Sequence, residues 1–303
     1  MPIKIPDSLP ARSILENEGI VLIGEATAVR QDIRPLRIGL LNLMPDKPST
    51  ETQFARLLGT SPIQVELVLV SLESHVPRST SASHMAAFYR PWETARQKKF
   101  DGFIITGAPV EKLEFEEVRY WDEMRRIFDW TEAHVHSLLT ICWGAQAAVH
   151  HFHNVPKHIL PEKYSGVFSH RNLVPTSPYL RGLSDEVEIP VSRWSEARRE
   201  DLPSDLRVLL ESDTVGLCLL EDAERGALHM FNHLEYETTT LADEYARDSK
   251  RNASTPLPAN YFPNEDPSLA PVNRWRSHAT MFFSAWIDQI YQTTPFDLQR
   301  IGR

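Results

Sequence analysis

The chain has 303 residues, 42% of them hydrophobic, which is enough to bury a full-sized core and excludes a disordered polymer. A formal net charge of −9, with no basic block, excludes a nucleic-acid surface, because phosphate binding needs clustered Lys and Arg. Pro2, Pro6 and Pro10 interrupt the opening residues and no run of about eighteen apolar residues occurs, so the expectation is a soluble cytoplasmic protein without a signal peptide or a membrane span.

In chain order, the nearly continuous apolar run Leu36 to Met44 reads as a buried strand ended by Pro45. Ser49, Thr50 and Glu51 open a helical pattern through Phe54, Leu57 and Leu58, which Gly59 closes. Strands are expected at Val65 to Val70 and at Phe103 to Thr106, the second running into Gly107-Ala108-Pro109. A helix from about Glu117 to His134 precedes a strand over Leu138 to Ile141, and Gly144 to Val149 begins another helix. This alternation implies a doubly wound parallel sheet, since parallel strands need right-handed helical crossovers. The second half carries β-like runs at Val187 to Val191, Leu206 to Leu210, Val215 to Leu220 and Ala227 to Phe231, some of which can pair antiparallel. Helices at Thr239 to Lys250 and Trp275 to Ile290 flank a Pro- and Asn-rich loop over 254–271. No repeat or Gly/Ser linker marks a boundary, so the expected organisation is an N-terminal extension, 1–35, on one catalytic domain, 36–303.

The two cysteines, Cys142 and Cys218, are too few for a disulfide framework. Cys142 lies between a strand and a helix, in Thr140-Ile141-Cys142-Trp143-Gly144-Ala145-Gln146. A sharp turn there would expose the thiol, let the helix N-terminus favour its thiolate and aim the Trp143 N–H at a developing oxyanion. A buried apolar cysteine is the competing reading. A nucleophilic thiol needs a base, and His233 in Phe231-Asn232-His233-Leu234-Glu235 is the candidate. If the chain stays extended, His233 and Glu235 point to one side and the carboxylate sets the tautomer of the imidazole. Gly107, at a strand's carboxyl end, can supply the second oxyanion donor. His150, His151 and His153 suggest a metal site, but no Cys or acidic ligand close in sequence completes it, so no metal is expected.

Taken together these segments resemble the homoserine O-acyltransferases of methionine biosynthesis, which include succinyl- and acetyl-transferring members. The resemblance runs through Met1-Pro2-Ile3-Lys4-Ile5-Pro6, Leu41-Asn42-Leu43-Met44-Pro45, Ile105-Thr106-Gly107-Ala108-Pro109 and Cys142-Trp143. It continues in His233-Leu234-Glu235-Tyr236, Asn260-Tyr261-Phe262-Pro263 and Trp275-Arg276-Ser277-His278. It implies an α/β, flavodoxin-like fold of the class I glutamine amidotransferase type, with Cys142, His233 and Glu235 as triad and Trp143 and Gly107 as oxyanion hole. It further implies substrate contacts at Lys163, Ser192 and Arg247, the last gripping the homoserine carboxylate, and a lysine near the site at Lys47. Glu244, three residues before Arg247, is compatible with binding the amine.

In this family a glycine at the position of Glu111 goes with succinyl transfer and a glutamate with acetyl transfer. A glutamate fills the acyl pocket and repels a succinyl carboxylate. The implied activity is therefore acetyl transfer from acetyl-CoA, a co-substrate with no further cofactor, to L-homoserine through a Cys142 thioester, in a cytoplasmic homodimer. Alternatives are a succinyltransferase, an amidotransferase-like cysteine hydrolase and a catalytically inactive binding protein. Thr140, where amidotransferases usually carry glycine, disfavours the hydrolase, while Leu234, where the family often has proline, leaves the His-x-Glu geometry possible.

Overall fold

The computed structural model describes residues 3–18, 22–23, 34–77 and 79–302. Met1 and Pro2 of the opening motif, and much of the segment up to residue 35, lie outside them. Strands β1 (Ile3–Lys4), β2 (Leu22–Ile23), β3 (Leu36–Leu41) and β4 (Val65–Ser71) are interleaved with helices α1 (Ala11–Asn17) and α2 (Lys47–Leu58). Next come α3 (Ala82–Phe88), β5 (Arg90–Pro91), α4 (Trp92–Ala95), β6 (Phe100–Ile105), α5 (Trp121–His134), β7 (Val135–Ile141) and α6 (Trp143–His153). The second half contributes β8 (His158–Asn172), β9 (Glu186–Glu196), β10 (Leu206–Ser212), β11 (Gly216–Asp222) and β12 (Ala227–Met230), then α7 (Thr240–Arg251) and α8 (Arg276–Thr293).

All these strands form one sheet in the order β2-β1-β4-β3-β6-β7-β12-β11-β10-β8-β9, with β5 beside β4. From β2 to β12 every pairing along that path is parallel; from β12 through β11, β10 and β8 to β9 every pairing is antiparallel. The parallel half is covered on both faces. Leu40, Ile104 and Leu139 join the core under α1, α2 and α8, whereas their neighbours Leu41, Ile105 and Leu138 join the core under α4, α5 and α6. Period-two alternation with both faces dry is why these strands read as unbroken apolar runs.

Several expectations need correcting. The first strand stops at Leu41 rather than Met44, because the Leu43 N–H turns to the Thr106 hydroxyl (2.8 Å) and the Met44 N–H to the Asn42 side chain (3.1 Å). Helix α2 starts earlier than Ser49, since Asp46 caps it by accepting the Ser49 N–H at 3.2 Å and Pro48 suits the first turn. The helix expected from Glu117 starts at Trp121, after a separate 3₁₀ turn over Phe115–Glu117. The sequence reading missed β8, which has 15 residues, together with the short helices α3 and α4.

Candidate active site

Cys142 sits between β7 and α6 with φ 53° and ψ −118°, a backbone conformation that a non-glycine residue holds only under constraint. That constraint is visible on both sides. The Cys142 N–H donates to the Met230 carbonyl of β12 at 2.7 Å, and the Cys142 carbonyl accepts from Ala145 and Gln146 as α6 begins. Gly144 lets the helix approach β6: a Cβ there would stand 2.7 Å from the Thr106 carbonyl oxygen. Gly107 abuts the thiol itself, where an added Cβ would lie 3.1 Å from Cys142 Cβ and 3.5 Å from Sγ. The Trp143 N–H belongs to the first turn of α6, whose donors have no acceptor inside the helix. Thr140, the residue before the last of β7, is buried, and its hydroxyl lies 2.8 Å from His229 Nδ1.

His233 follows β12 and is anchored by its own N–H, which donates to the Pro190 carbonyl of β9 at 2.9 Å. Its Nδ1 is 2.7 Å from Glu235 Oε1, and the imidazole lines the same cavity as Cys142. Burial alone would lower the imidazole pKa, but the carboxylate of Glu235 and the sulfur of Cys142 raise it well above its ordinary value. The extended chain expected here is absent. Residues 233–236 form a turn closed by the Tyr236 N–H on the His233 carbonyl, and this turn, rather than strand alternation, brings Glu235 under the ring.

The loop ahead of His233 is braced by Arg193, a guanidinium buried in β9 at 1% exposure. Its Nη1 donates to Asn232 Oδ1 (3.1 Å) and to the Leu217 carbonyl (3.3 Å), and its Nη2 donates to the Val215 carbonyl. Asn232 in turn donates to His170 Nε2 at 2.9 Å. Burial, reinforced by the Arg193 charge, pushes the His170 pKa down to about 4, so the ring is the neutral acceptor this bond needs.

A cavity of about 720 Å³ opens over the thiol. Of the residues singled out from sequence, Gly107, Glu111, Cys142, Lys163, Ser192, His233, Glu244 and Arg247 all line it. Glu244 is its hub: its carboxylate accepts from the Ser192 hydroxyl, the Tyr236 hydroxyl (2.8 Å) and Lys163 Nζ (3.2 Å). Burial opposes ionisation of Glu244, yet Lys163 and the two hydroxyls outweigh it and hold the pKa below its usual value. Lys163 also reaches Asp248 Oδ2 at 3.0 Å, and Arg247, more than half exposed, reaches Asp248 Oδ1 at 3.1 Å. Burial raises the pKa of half-buried Glu111.

Lys47 stands apart: it is buried at 4% exposure and does not line the cavity, whose wall includes the nearby Met44 and Pro45. It donates to the Asn42 carbonyl and lies 5.4 Å from the Tyr89 ring centroid, while Tyr89 donates to buried Glu51 at 2.7 Å. Burial lowers its pKa to about 8. The three clustered histidines go separate ways: His151 to Asp129 (2.7 Å), His153 to Asp222 (2.7 Å) and His150 to the Val155 carbonyl (3.3 Å).

The sequence reading gave no role to Tyr236, although it is central here. Its ring stacks on His233, with centroids 4.1 Å apart and planes at 19°, while its hydroxyl holds Glu244. The signal was its place directly after Glu235. Asp248, Trp194, Lys112 and Arg251 on the cavity wall were also missed, having no local pattern that separates them from surface residues.

Chemically, a thiol beside a charged imidazole, with unused backbone N–H groups close by, suits nucleophilic acyl chemistry. A carboxylate and a guanidinium on the facing wall suit the ammonium and carboxylate of an amino acid.

A family model described as homoserine O-succinyltransferase matches residues 2–296. The homoserine O-acetyltransferases of Brucella canis, Brucella suis and Brucella abortus are each 62% identical to this chain over 305 aligned positions, covering 100% of both partners. Among solved structures, a glutamine amidotransferase from Thermotoga maritima superimposes with a TM-score of 0.55 at 11% identity, covering 86% of this chain and 100% of its own. One from Methylobacillus flagellatus gives 0.53 at 13% identity, covering 85% and 95%. At such identities the likeness concerns the fold, which is that of the class I glutamine amidotransferases.

Proposed function

Since the chain belongs to the homoserine O-succinyltransferase family, we propose that it transfers the acetyl group of acetyl-CoA to the γ-hydroxyl of L-homoserine, a step of methionine biosynthesis. The observation that carries this reading is the full-length 62% identity to homoserine O-acetyltransferases, with Glu111 in the wall of the cavity above Cys142.

In the first half-reaction Cys142 Sγ attacks the thioester carbonyl as its proton sits on His233, and the tetrahedral oxyanion takes the N–H groups of Trp143 and Gly107. Collapse expels the CoA thiolate, which leaves with the proton from His233, and acetyl remains on Cys142. In the second half, His233 takes the proton of the homoserine γ-hydroxyl as its oxygen attacks the acetyl-thioester. Collapse then breaks the C–S bond, releases O-acetylhomoserine and restores the thiolate beside the imidazolium. Glu235 holds His233 in register throughout, and because CoA leaves before homoserine attacks the acetyl-enzyme, the kinetics are ping-pong.

Glu244, kept ionised by Lys163 and Ser192, takes the substrate ammonium, and Arg247 takes its carboxylate. Glu111 closes the acyl end: a half-buried carboxyl group leaves room for a methyl and opposes a second carboxylate. Lys47 acts indirectly, by its bond to the Asn42 carbonyl, which fixes the loop that carries Met44 and Pro45. The partners are these two small molecules. A cytoplasmic homodimer is the setting we infer from the family; among the described residues no helix is long and apolar enough to cross a membrane.

The test is turnover of L-homoserine with acetyl-CoA and succinyl-CoA in parallel, with the ester identified by mass spectrometry. O-acetylhomoserine is the expected product. O-succinylhomoserine as the main product would overturn the donor assignment, and no ester from either would overturn the reading as a whole.

A further inference from the structure

A second cavity, of about 500 Å³, adjoins the one over Cys142, and the two share Lys112, Lys163, Trp194, Asp248 and Arg251 as common wall. The shared wall matters because a CoA thioester is long and strongly polarised along its length. Its reactive carbonyl is neutral, while its far end is a phosphorylated nucleotide with several negative charges. A site for it needs room beyond the thiol and cations there that no protein carboxylate already neutralises.

The cations of the common wall divide on that criterion. Lys163 is committed to Glu244 and Asp248. Lys112 and Arg251, both exposed, make no ion pair with any carboxylate among the described residues. Lys112 Nζ is instead parked over the indole of Trp194, 3.4 Å from the ring centroid, which fixes the ammonium at the junction of the two cavities. Arg251 is the last residue of α7 and lines both cavities. The cavity on the other flank, about 610 Å³, shares Val110 and Leu113 with the first but is lined by a single Lys or Arg, Arg119, together with Glu117, whereas the second cavity gathers Lys112, Lys163 and Arg251 with Glu162 and Asp248.

Resting on the acyl-CoA reading above, we propose that the second cavity receives the phosphorylated nucleotide end of the CoA thioester. Lys112 and Arg251 take its phosphates, Trp194 positions Lys112, and the acyl end reaches Cys142 through the first cavity.

The experiment compares kcat/KM for acetyl-CoA with that for S-acetylpantetheine, which carries the same thioester without the phosphorylated nucleotide. Both are measured at saturating L-homoserine in the wild type, Lys112→Ala, Arg251→Ala, the double variant and Arg119→Ala. The ratio of the two values is the readout, because partial loss of folded enzyme lowers both equally. The expected result is a ratio lowered about ten-fold or more by each single substitution, further by the double, and kept at the wild-type value by Arg119→Ala. A double variant with the wild-type ratio, or a ratio that falls only in Arg119→Ala, overturns the proposal while wild-type turnover upholds the acyl-transfer reading. A wild type that makes ester from neither thioester overturns both.

Discussion

Adding one methyl group at Gly107 separates the chemistry of this site from its stability. A Cβ at that position would lie 3.1 Å from Cys142 Cβ, a few tenths of an ångström inside ordinary carbon contact, and 3.5 Å from Sγ. The strain is relieved by moving the Gly107 loop away or by turning the cysteine. The first withdraws an N–H from the oxyanion and the second swings the sulfur off His233. Loss of one oxyanion donor costs roughly 10²–10³ in rate, and a misplacement of about 1 Å roughly 10². Gly107→Ala is therefore expected to lower kcat on the order of 10²-fold, with a stability loss of about 1 kcal/mol, the low end for mild overpacking.

Gly144→Ala is the counterpart, because its Cβ would meet the carbonyl oxygens of Thr106 and Ile105 at 2.7 and 3.0 Å. Those atoms belong to the end of β6 and its loop and cannot rotate away, so the cost falls on folding, about 3 kcal/mol. Steady-state kcat and urea midpoints for both variants, with active enzyme titrated by stoichiometric alkylation of Cys142, give the comparison. A Gly107→Ala enzyme with full kcat would refute the reasoning, as would a Gly144→Ala enzyme as stable as the wild type.

Glu111→Gly removes the carboxyl group from the acyl end of the cavity, and kcat/KM for succinyl-CoA relative to acetyl-CoA should rise at least about ten-fold; an unchanged ratio sinks the account of Glu111. Glu235→Gln keeps the shape of the contact but deletes the charge that helps raise the His233 pKa, so His233 loses its proton at lower pH, measurable by histidine NMR titration. The same change should lower kcat on the order of 10²–10⁴, and a titration like that of the wild type would count against the role given to Glu235. Lys47 tests linkage, since its folded pKa of about 8 lies below the 10.5 of a free lysine. Between those values the unfolded chain binds more protons than the folded one, so this group makes stability rise with pH, by about 3 kcal/mol at most. Lys47→Met should lack that rise when urea midpoints are compared at pH 7 and pH 10, and a parallel rise in both proteins would contradict it.

What could be read from the sequence followed from how each segment is buried. β6 and β7 are dry on both faces, so Phe103 to Ile105 and Leu138 to Ile141 announce themselves as apolar runs, and the cysteine that follows β7 inherits its turn. β8 has no such signature. It is wet in stretches, contains Pro161, Lys163 and Gly166, and slips register against β9 between Ile159 and Tyr164. Its pairing with β9, across the connection of residues 173–185, stabilises it, and no local apolar run announces that partnership. Arg193 illustrates the opposite failure: an arginine in a strand ordinarily reads as solvent-facing, and only the convergence of two carbonyls and Asn232 makes burial tolerable. Glu235 was identified correctly as the residue beside His233 but through the wrong geometry, because a turn and an extended strand can both bring residues i and i+2 together.

The change of strand sense at β12 has a bearing on when the protein becomes reactive. Cys142 and Gly107 end strands of the parallel half, whereas Lys163, Ser192 and the Pro190 carbonyl that anchors His233 belong to the antiparallel half. The seam between them is the four-residue pairing of Ala227–Met230 with Leu138–Ile141, which the Met230 carbonyl extends to the Cys142 N–H. A nascent or partly opened chain in which that seam is unzipped holds an ordinary thiol with no base beside it. Bringing a base to the sulfur thus depends on the pairing that joins the two halves of the sheet, and a chain without that pairing carries no such nucleophile.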